Sequence, residues 1–435
     1  MSTIGGIVSV SPVKRKIEVL MSDPNKKRWF ILAACCLVNL CLGSIYAWSV
    51  FALPMAKHLS IITGETLTSG DLAIVYTIAN AVGPITMISG GWFNDRFGPG
   101  KVILVGGILF AGGMILSGFA TNLPFLIIAY GIIGGLGLGM AYGCTISSCV
   151  KFFPDKRGLI GGITTAVYGF SSVLIPPVVT LIVSAFDIKT AFCGIGAVFL
   201  VVICTCSFLI TKCPDNFIPD GWRPSHFSDS EQSFEKDWKG MLATRVFYVM
   251  IALLTCGAFC GMMIISQASA VAQNMVGMTA MAASTAVSVL AACNAIGRIL
   301  AGSLSDKIGR INTLMASCIV SVIGLMFLYV TKVSMYLTFY IGISLVGLCF
   351  GAFMGVFPGF TADQFGVKNN SVNYGIMFIG FAAAGFFGPT IMRNVYARSG
   401  VYQPAFLIAC CLNLAGIVLT VVYRFMNGKN TVASK

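Results

Sequence analysis

Charge is scarce in this chain. Only 10% of its residues are Asp, Glu, Lys or Arg, against 57% apolar, whereas a soluble domain carries about 25% charged and roughly 45–50% apolar residues. A soluble fold of this size would lack the charge to cover its surface, so that class is excluded. The 15 acidic residues, from Glu18 to Asp363, lie in tails, loops or at the ends of apolar runs, and the 2 histidines, His58 and His226, lie in loops. With no carboxylate or imidazole in mid-run, an intrinsic proton relay is excluded. A membrane enzyme finds no nucleophile, acid–base pair or metal cluster in these runs. The 16 cysteines fall nearly all inside apolar runs (Cys35, Cys36, Cys41, Cys144, Cys256, Cys293 and Cys410 among them), without C-x-x-C spacing. They read as small packing residues, and no cofactor is expected. The segment GGLGLG lacks a preceding strand and a following lysine, so it is no phosphate loop. It belongs to a stripe of Gly131, Gly135, Gly139 and Gly143 that lets another helix come close.

What is present is a series of apolar runs, each long enough to cross a hydrocarbon core of roughly 30 Å. Twelve are expected, at 29–54, 70–93, 102–120, 123–148, 158–186, 190–212, 245–272, 279–304, 312–331, 334–358, 372–396 and 402–426. Lipid offers backbone amides no partner, so each run must be a helix. The first is too long for a cleaved signal and reads as a retained span. The fold class is therefore an all-α membrane protein with twelve transmembrane helices. Residues 213–244, with Pro214, Pro219, Pro224 and alternating charges, read as a linker between two six-helix halves, 29–212 and 245–426. Residues 1–28 and 427–435 are the tails, too short for the soluble output domain of a sensor. Pro176, Pro177 and Pro389 mark bends.

The formal net charge of +13 does not point to nucleic acid, because the basic residues are spread over short loops. With the N-terminus placed inside, only Lys57, Lys189, Lys332, Arg393 and Arg398 fall outside and Arg298 falls within a span, which leaves 22 of the 28 basic residues on the inner side. That imbalance orients both termini and the linker towards the cytoplasm of a multi-pass protein in the cell membrane.

The halves repeat. GGWFNDRFGPGK (90–101) and AGSLSDKIGRIN (301–312) each follow the second span of their half, matching Asp95 with Asp306, Arg96 with Lys307 and Gly98 with Gly309. A fainter echo pairs KFFPDKRG (151–158) with DQFGVKNN (363–370). Two parallel repeats joined by a linker are the plan of a rocking transporter. In each loop the glycine permits close helix approach, while Asp95, Arg96, Asp306, Lys307 and Arg310 can pair across helix ends as a gate. Ordinary turn chemistry with topological charge is the plainer alternative.

Arg298 stands apart. It precedes Asp306 by eight residues, about 12 Å by helix rise and close to the midplane, while the matching position in the first half is Met87. Two readings stand: a side chain snorkelling towards the inner surface, or a cavity residue whose guanidinium fork takes a carboxylate in two parallel hydrogen bonds. Asn294 shares its face one turn earlier, either steering it or bonding another helix. Phe378 and Phe381 form an apolar wall or ordinary packing.

GSIYAWSVFALP (43–54), YGCTISSCVKFFPDKRGLIGG (142–162), NAIGRILAGSLSDKIGR (294–310) and VNYGIMFIGF (372–381) resemble the oxalate/formate antiporter family and its monocarboxylate-carrying relatives, within the major facilitator superfamily. The resemblance implies the major facilitator fold, a small carboxylate anion as cargo, and Arg298 as its binding residue. It implies cavity roles for Tyr46, Tyr142 and Tyr168, each of which is also explicable as packing. It further places a second cation in span eleven, where this chain has Phe381. A dianion would then keep one carboxylate unpaired, so lactate, pyruvate or formate are expected ahead of an oxalate/formate exchange. The coupling partner is a second anion or a proton carried with the substrate.

Overall fold

A computed structural model describes residues 23–214, 217–222 and 235–432. Most of the expected N-terminal tail, residues 215–216 and 223–234 of the expected linker, and residues 433–435 lie outside them. Among the described residues, twelve helices are long and apolar enough to cross a membrane: Asn25–Thr63, Ala73–Phe97, Pro99–Ser117, Leu123–Phe152, Arg157–Ala185 and Ile188–Leu209, then Arg245–Asn274, Met281–Ile308, Arg310–Val330, Tyr336–Phe365, Asn370–Ser399 and Gln403–Met426. These are spans 1 to 12. The regular structure of the described residues is all helical, and none of the 16 cysteines forms a disulfide.

Two span ends depart from the sequence reading for one reason. Span 1 continues through Pro54 to Thr63, and span 10 through Pro358 to Phe365. A proline removes one backbone hydrogen bond, but abandoning the helix inside lipid would leave many groups without partners. Glycine ends these helices instead. Gly64 (φ 74°) and Gly366 (φ 89°) adopt backbone conformations that side chains resist, each donating its N–H to the carbonyl four residues earlier.

Spans 1 and 11 are interrupted near mid-depth, and span 4 carries a π-helical stretch over Ile127–Gly134. In span 1 a tight turn of helix over Gly43–Ala47 separates Pro24–Leu42 from Trp48–Thr63, and span 11 breaks at Phe378, between Asn370–Met377 and Ile379–Ser399. A Cβ on Gly43 would collide with the Tyr168 backbone, so span 1 bends directly against span 5.

The sequence repeat has a geometric counterpart. Gly98 (φ 86°, ψ 163°) and Gly309 (φ 90°, ψ 152°) turn the chain after spans 2 and 8 in nearly the same way, a conformation essentially reserved for glycine. The face carrying these loops is called the basic face below. Gly91 of span 2 packs on Ser371 and Val372 at the start of span 11, and Gly302 of span 8 packs on Gly158 at the start of span 5. Thus each signature glycine brings its helix against the fifth helix of the opposite half. Higher up, the backbone of Met87 meets Gly375 of span 11, as that of Arg298 meets Gly162 of span 5. Within the first half, Gly135, Gly139 and Gly143 of span 4 lie on Ala79, Gly83 and Met87 of span 2, each four residues on from the last.

A side chain at Gly302 would drive spans 5 and 8 apart. Gly302→Val is expected to destabilise the protein by about 1–3 kcal/mol, read as a lower thermal midpoint of the purified protein in detergent. An unchanged midpoint would show that the two backbones need not touch.

Candidate substrate site

Arg298 is only 2% exposed. It does not reach for either surface. Its Nε donates to Asn294 Oδ1 (3.1 Å), one turn earlier on the same helix, and its Nη1 donates to the Thr165 carbonyl of span 5 (2.5 Å). The guanidinium lies against Gly169, where a Cβ would sit 3.6 Å from Cζ. Glycine at 162, where a Cβ would strike the Arg298 carbonyl, is what lets a helix of one half press onto a helix of the other. These contacts occupy two of its five donors. Among the described residues no carboxylate pairs with it.

Aromatic rings close around the cation. Tyr46, Tyr142, Tyr168 and Tyr374 are all within electrostatic reach of Arg298. Tyr168 touches Tyr46 edge-on (centroids 5.2 Å) and Tyr142 at 4.5 Å. Tyr142 reaches across to Phe378 at 5.9 Å, which stacks on Phe381 at 4.4 Å. The rings come from spans 1, 4, 5 and 11, and the two helix interruptions carry Tyr46 and Phe378 into this layer. Tyr142, Tyr168 and Arg298 stand ten to eleven residues from the basic-face ends of spans 4, 5 and 8, a shared depth of roughly 15 Å. The structure therefore brings Arg298, Asn294, Tyr46, Tyr142, Tyr168, Phe378 and Phe381 into one region. Tyr374, 1% exposed and beside Phe378, belongs there too. Its place in the quoted VNYGIMFIGF stretch was the available signal. Thr165 had none, because it contributes a backbone carbonyl.

The same layer rests on a second buried contact. Thr145 donates to Asn39 Oδ1 (2.7 Å), and Asn39 Nδ2 donates to the Thr164 carbonyl (3.1 Å). Adjacent carbonyls of span 5 are thereby held from opposite sides, by Asn39 of its own half and by Arg298 of the other.

Below the rings the basic face is shut. Asp306 accepts the N–H groups of Gly158 (2.9 Å) and Leu159 (2.8 Å), the first turn of span 5, and pairs with Arg310 (2.6 Å). Asp95 mirrors it, accepting the N–H of Val372 in the first turn of span 11 (3.3 Å) and pairing with Lys151 (2.7 Å). Each aspartate thus caps the fifth helix of the opposite half, where free N–H groups and the helix dipole favour an anion. Asp363 joins Arg157 (2.6 Å) to Arg310 (2.8 Å) across the halves, and Asn94 donates to Ser371, which donates to Ser147. Arg96 lies elsewhere, 4.4 Å over the Trp92 ring, and Lys307 is exposed, with no ion pair described for either. Their place in the closure is taken by Lys151, Arg157 and Asp363, all of which sit in the fainter sequence echo. Beyond Arg298, towards the opposite face, no hydrogen bond joins the halves among the described residues.

Comparison with known proteins identifies the family and the fold. The sequence profile of the Major Facilitator Superfamily matches residues 32–389 and 268–435. An uncharacterized MFS-type transporter of Escherichia coli (strain K12) is 28% identical over 83% of this chain and 86% of its own length. The oxalate:formate antiporter of Oxalobacter formigenes is 24% identical over 90% of both chains, and human monocarboxylate transporter 12 is 23% identical over 91% of this chain and 82% of its own. Among solved structures, the E. coli fucose:proton symporter FucP superposes with a TM-score of 0.67 at 15% identity, covering 90% of this chain and 98% of that one. The proton:xylose symporter XylE gives 0.69 at 14%, covering 91% and 95%. The chain belongs to the major facilitator superfamily: it is a multi-pass membrane transporter, not an enzyme.

Removing the amide that holds Arg298 should be felt in the empty protein. Asn294→Leu leaves a buried charged donor without its acceptor, a loss of about 1–3 kcal/mol visible as a lower thermal midpoint. Full retention of stability would mean that Thr165 alone fixes the guanidinium.

Proposed function

We propose that this major facilitator transporter carries small monocarboxylates of the lactate, pyruvate or formate kind by alternating access, with Arg298 as the carboxylate-binding group. The carrying observation is a cation buried at mid-depth between the halves, with donors to spare and no carboxylate partner among the described residues. A substrate carboxylate neutralises that charge and takes the open donors of the fork. Tyr46, Tyr142 and Tyr168 offer hydroxyls near the charge and ring faces to the substrate body, and Phe378 with Phe381 forms the opposite wall.

The names of two relatives, an oxalate:formate antiporter and a monocarboxylate transporter, support the substrate class. Phe381 favours the monoanion within it. Where the resemblance leads to a second cation, this chain has a ring stacked on Phe378, and a dianion would keep one carboxylate without a counter-charge. Coupling comes from exchange of anions or from a proton travelling with the substrate, since the spans carry no acidic residue or histidine at this depth.

The distribution of basic residues supports a cytoplasmic position for the basic face, both termini and the linker. The halves 29–212 and 245–426 then rock about Arg298. Asp95 and Asp306, with Lys151, Arg157, Arg310 and Asp363, latch the inner gate. Arg96 and Lys307 contribute topological charge.

Three measurements test this reading. Arg298→Gln should lower uptake of labelled monocarboxylate into proteoliposomes by more than about a hundredfold while the protein still inserts and folds, as neutral Met87 at the matching position suggests. Unchanged uptake would remove Arg298 from the substrate. Oxalate should compete poorly with lactate, pyruvate and formate at equal concentration, and Phe381→Lys, once shown to fold, should move the preference towards dicarboxylates. Equal competition by oxalate in the wild type would reopen the substrate class. Asp95→Asn and Asp306→Asn should slow exchange more than they weaken binding, because the latch lies roughly 12 Å from Arg298. Collapse of affinity with normal turnover would contradict the latch.

A further inference from the structure

The end of the segment between the halves grips the loop that leads into span 11. Glu235 Oε1 accepts the N–H of Val367 (3.1 Å), and Oε2 accepts that of Lys368 (2.9 Å). Next to it, Lys236 donates its N–H to the Phe365 carbonyl (3.0 Å). Its own carbonyl accepts from Asn373 Nδ2 (2.9 Å) and Asn369 Nδ2 (3.4 Å). Gly366 stands at φ 89°, and a Cβ there would strike the Glu235 carboxylate. The turn and the carboxylate therefore fit only with glycine between them.

The far side of this loop is the closed gate. The Lys368 carbonyl accepts from Lys151 Nζ (3.2 Å), Lys151 pairs with Asp95 (2.7 Å), and Asp95 accepts from Val372 N–H (3.3 Å). The first amide held by Glu235, Val367, and the amide held by Asp95, Val372, are thus only five positions apart. The grip is anchored as well. Asp237 caps the short helix Trp238–Leu242 through the Gly240 N–H (2.8 Å), which leads directly into span 7. Glu235 consequently moves with the second half and presents the start of span 11 to the first.

We propose that Glu235 is a positioning residue of the span-11 latch: by fixing the Val367–Lys368 amides from the chain that enters span 7, it sets the loop so that Asp95 and Lys151 can close on it. The inference rests on the latch reading of Asp95 given above. A carboxylate holding two N–H groups makes charge-assisted bonds, and their loss frees the turn without touching Asp95, Lys151 or the substrate layer. Ordinary turn stabilisation would leave the first half indifferent. A positioning role makes the first half respond.

The experiment is hydrogen–deuterium exchange on the full-length protein in lipid nanodiscs, for the wild type, Glu235→Ala, Asp95→Asn and the double variant. Two segments are read, 366–377 in the second half and 147–160 in the first. If Glu235 positions the latch, Glu235→Ala raises exchange by roughly tenfold in both, the scale of one charge-assisted hydrogen bond. Asp95→Asn does the same, and the double variant exceeds Asp95→Asn by little. A response to Glu235→Ala confined to 366–369, or a double variant whose effect is the product of the two, overturns the proposal. If Asp95→Asn leaves 147–160 unchanged, the latch reading fails and the positioning role falls with it. Should Glu235→Ala fail to fold, Glu235→Gln keeps the shape and removes the charge, and a wild-type profile in 147–160 for that variant overturns the proposal equally.

Discussion

A positive charge buried between the two halves, with no counter-ion among the described residues, is the constraint from which the rest of this structure follows. An arginine at mid-span is costly by any measure, and here Asn294 and the Thr165 carbonyl supply dipoles rather than a charge. Two dipolar acceptors satisfy part of the guanidinium and leave its net charge standing. The surrounding layer is built to make that tolerable: tyrosines with hydroxyls near the cation, a glycine at 162 where a side chain would push span 5 away, and interrupted helices that carry Tyr46 and Phe378 inward. Without Arg298, nothing in the layer would require this combination of close backbones and polar rings.

The two halves share a scaffold and divide its tasks. Met87 and Arg298 hold matching places, each with its backbone against a glycine of the opposite half's fifth helix, yet only one is charged. At the basic face the division disappears, and Asp95 and Asp306 make the same kind of contact with spans 11 and 5. Closure needs both sides of the interface to behave alike, so symmetry survives there. On the proposed reading, binding needs one carboxylate recognised once, and symmetry is broken there. The repeated glycine conformation at 98 and 309 fixes where each aspartate stands, and the break at Phe378 lets the start of span 11 be held as a short, separate piece.

Most of the fold was legible because it rests on composition and spacing. Apolar runs gave the spans, the duplicated loop gave the repeat, and Arg298 was visible as a charge out of place. Span ends were misread where Pro54 and Pro358 looked like stops, since local backbone preference is weaker inside lipid than the need to keep amides bonded. The partners of the gate were harder to see. Lys151, Arg157 and Asp363 stand in a faint echo whose two copies differ in nearly every residue, and their pairing depends on how the halves meet. Arg96 was matched with Lys307 and read as a gate residue, but the exposed Trp92 ring one turn earlier on span 2 claims it. Thr165 and the amides of Gly158, Leu159 and Val372 act through the backbone, and backbone roles leave no mark on residue identity.

A latch in a transporter must also be weak enough to break in every cycle. Charge-assisted hydrogen bonds contribute about 1.5–3 kcal/mol each, and ion pairs as buried as Lys151–Asp95 and Arg310–Asp306 return little beyond the cost of removing both charges from water. Asp95 and Asp306 each hold one or two amides and one cation at the basic face. Their sum is a few kcal/mol, not tens. That matches what a small anion can supply, because a ligand shifts a two-state equilibrium only by its difference in affinity for the two states. With the charge of Arg298 unneutralised, an occluded empty site is penalised by desolvation; on the proposed reading, a bound monocarboxylate lowers that penalty. The latch and the buried cation are therefore matched in scale. A second fixed charge in the layer, or a third capping carboxylate at the rim, would tip the balance so far that one state would trap the protein.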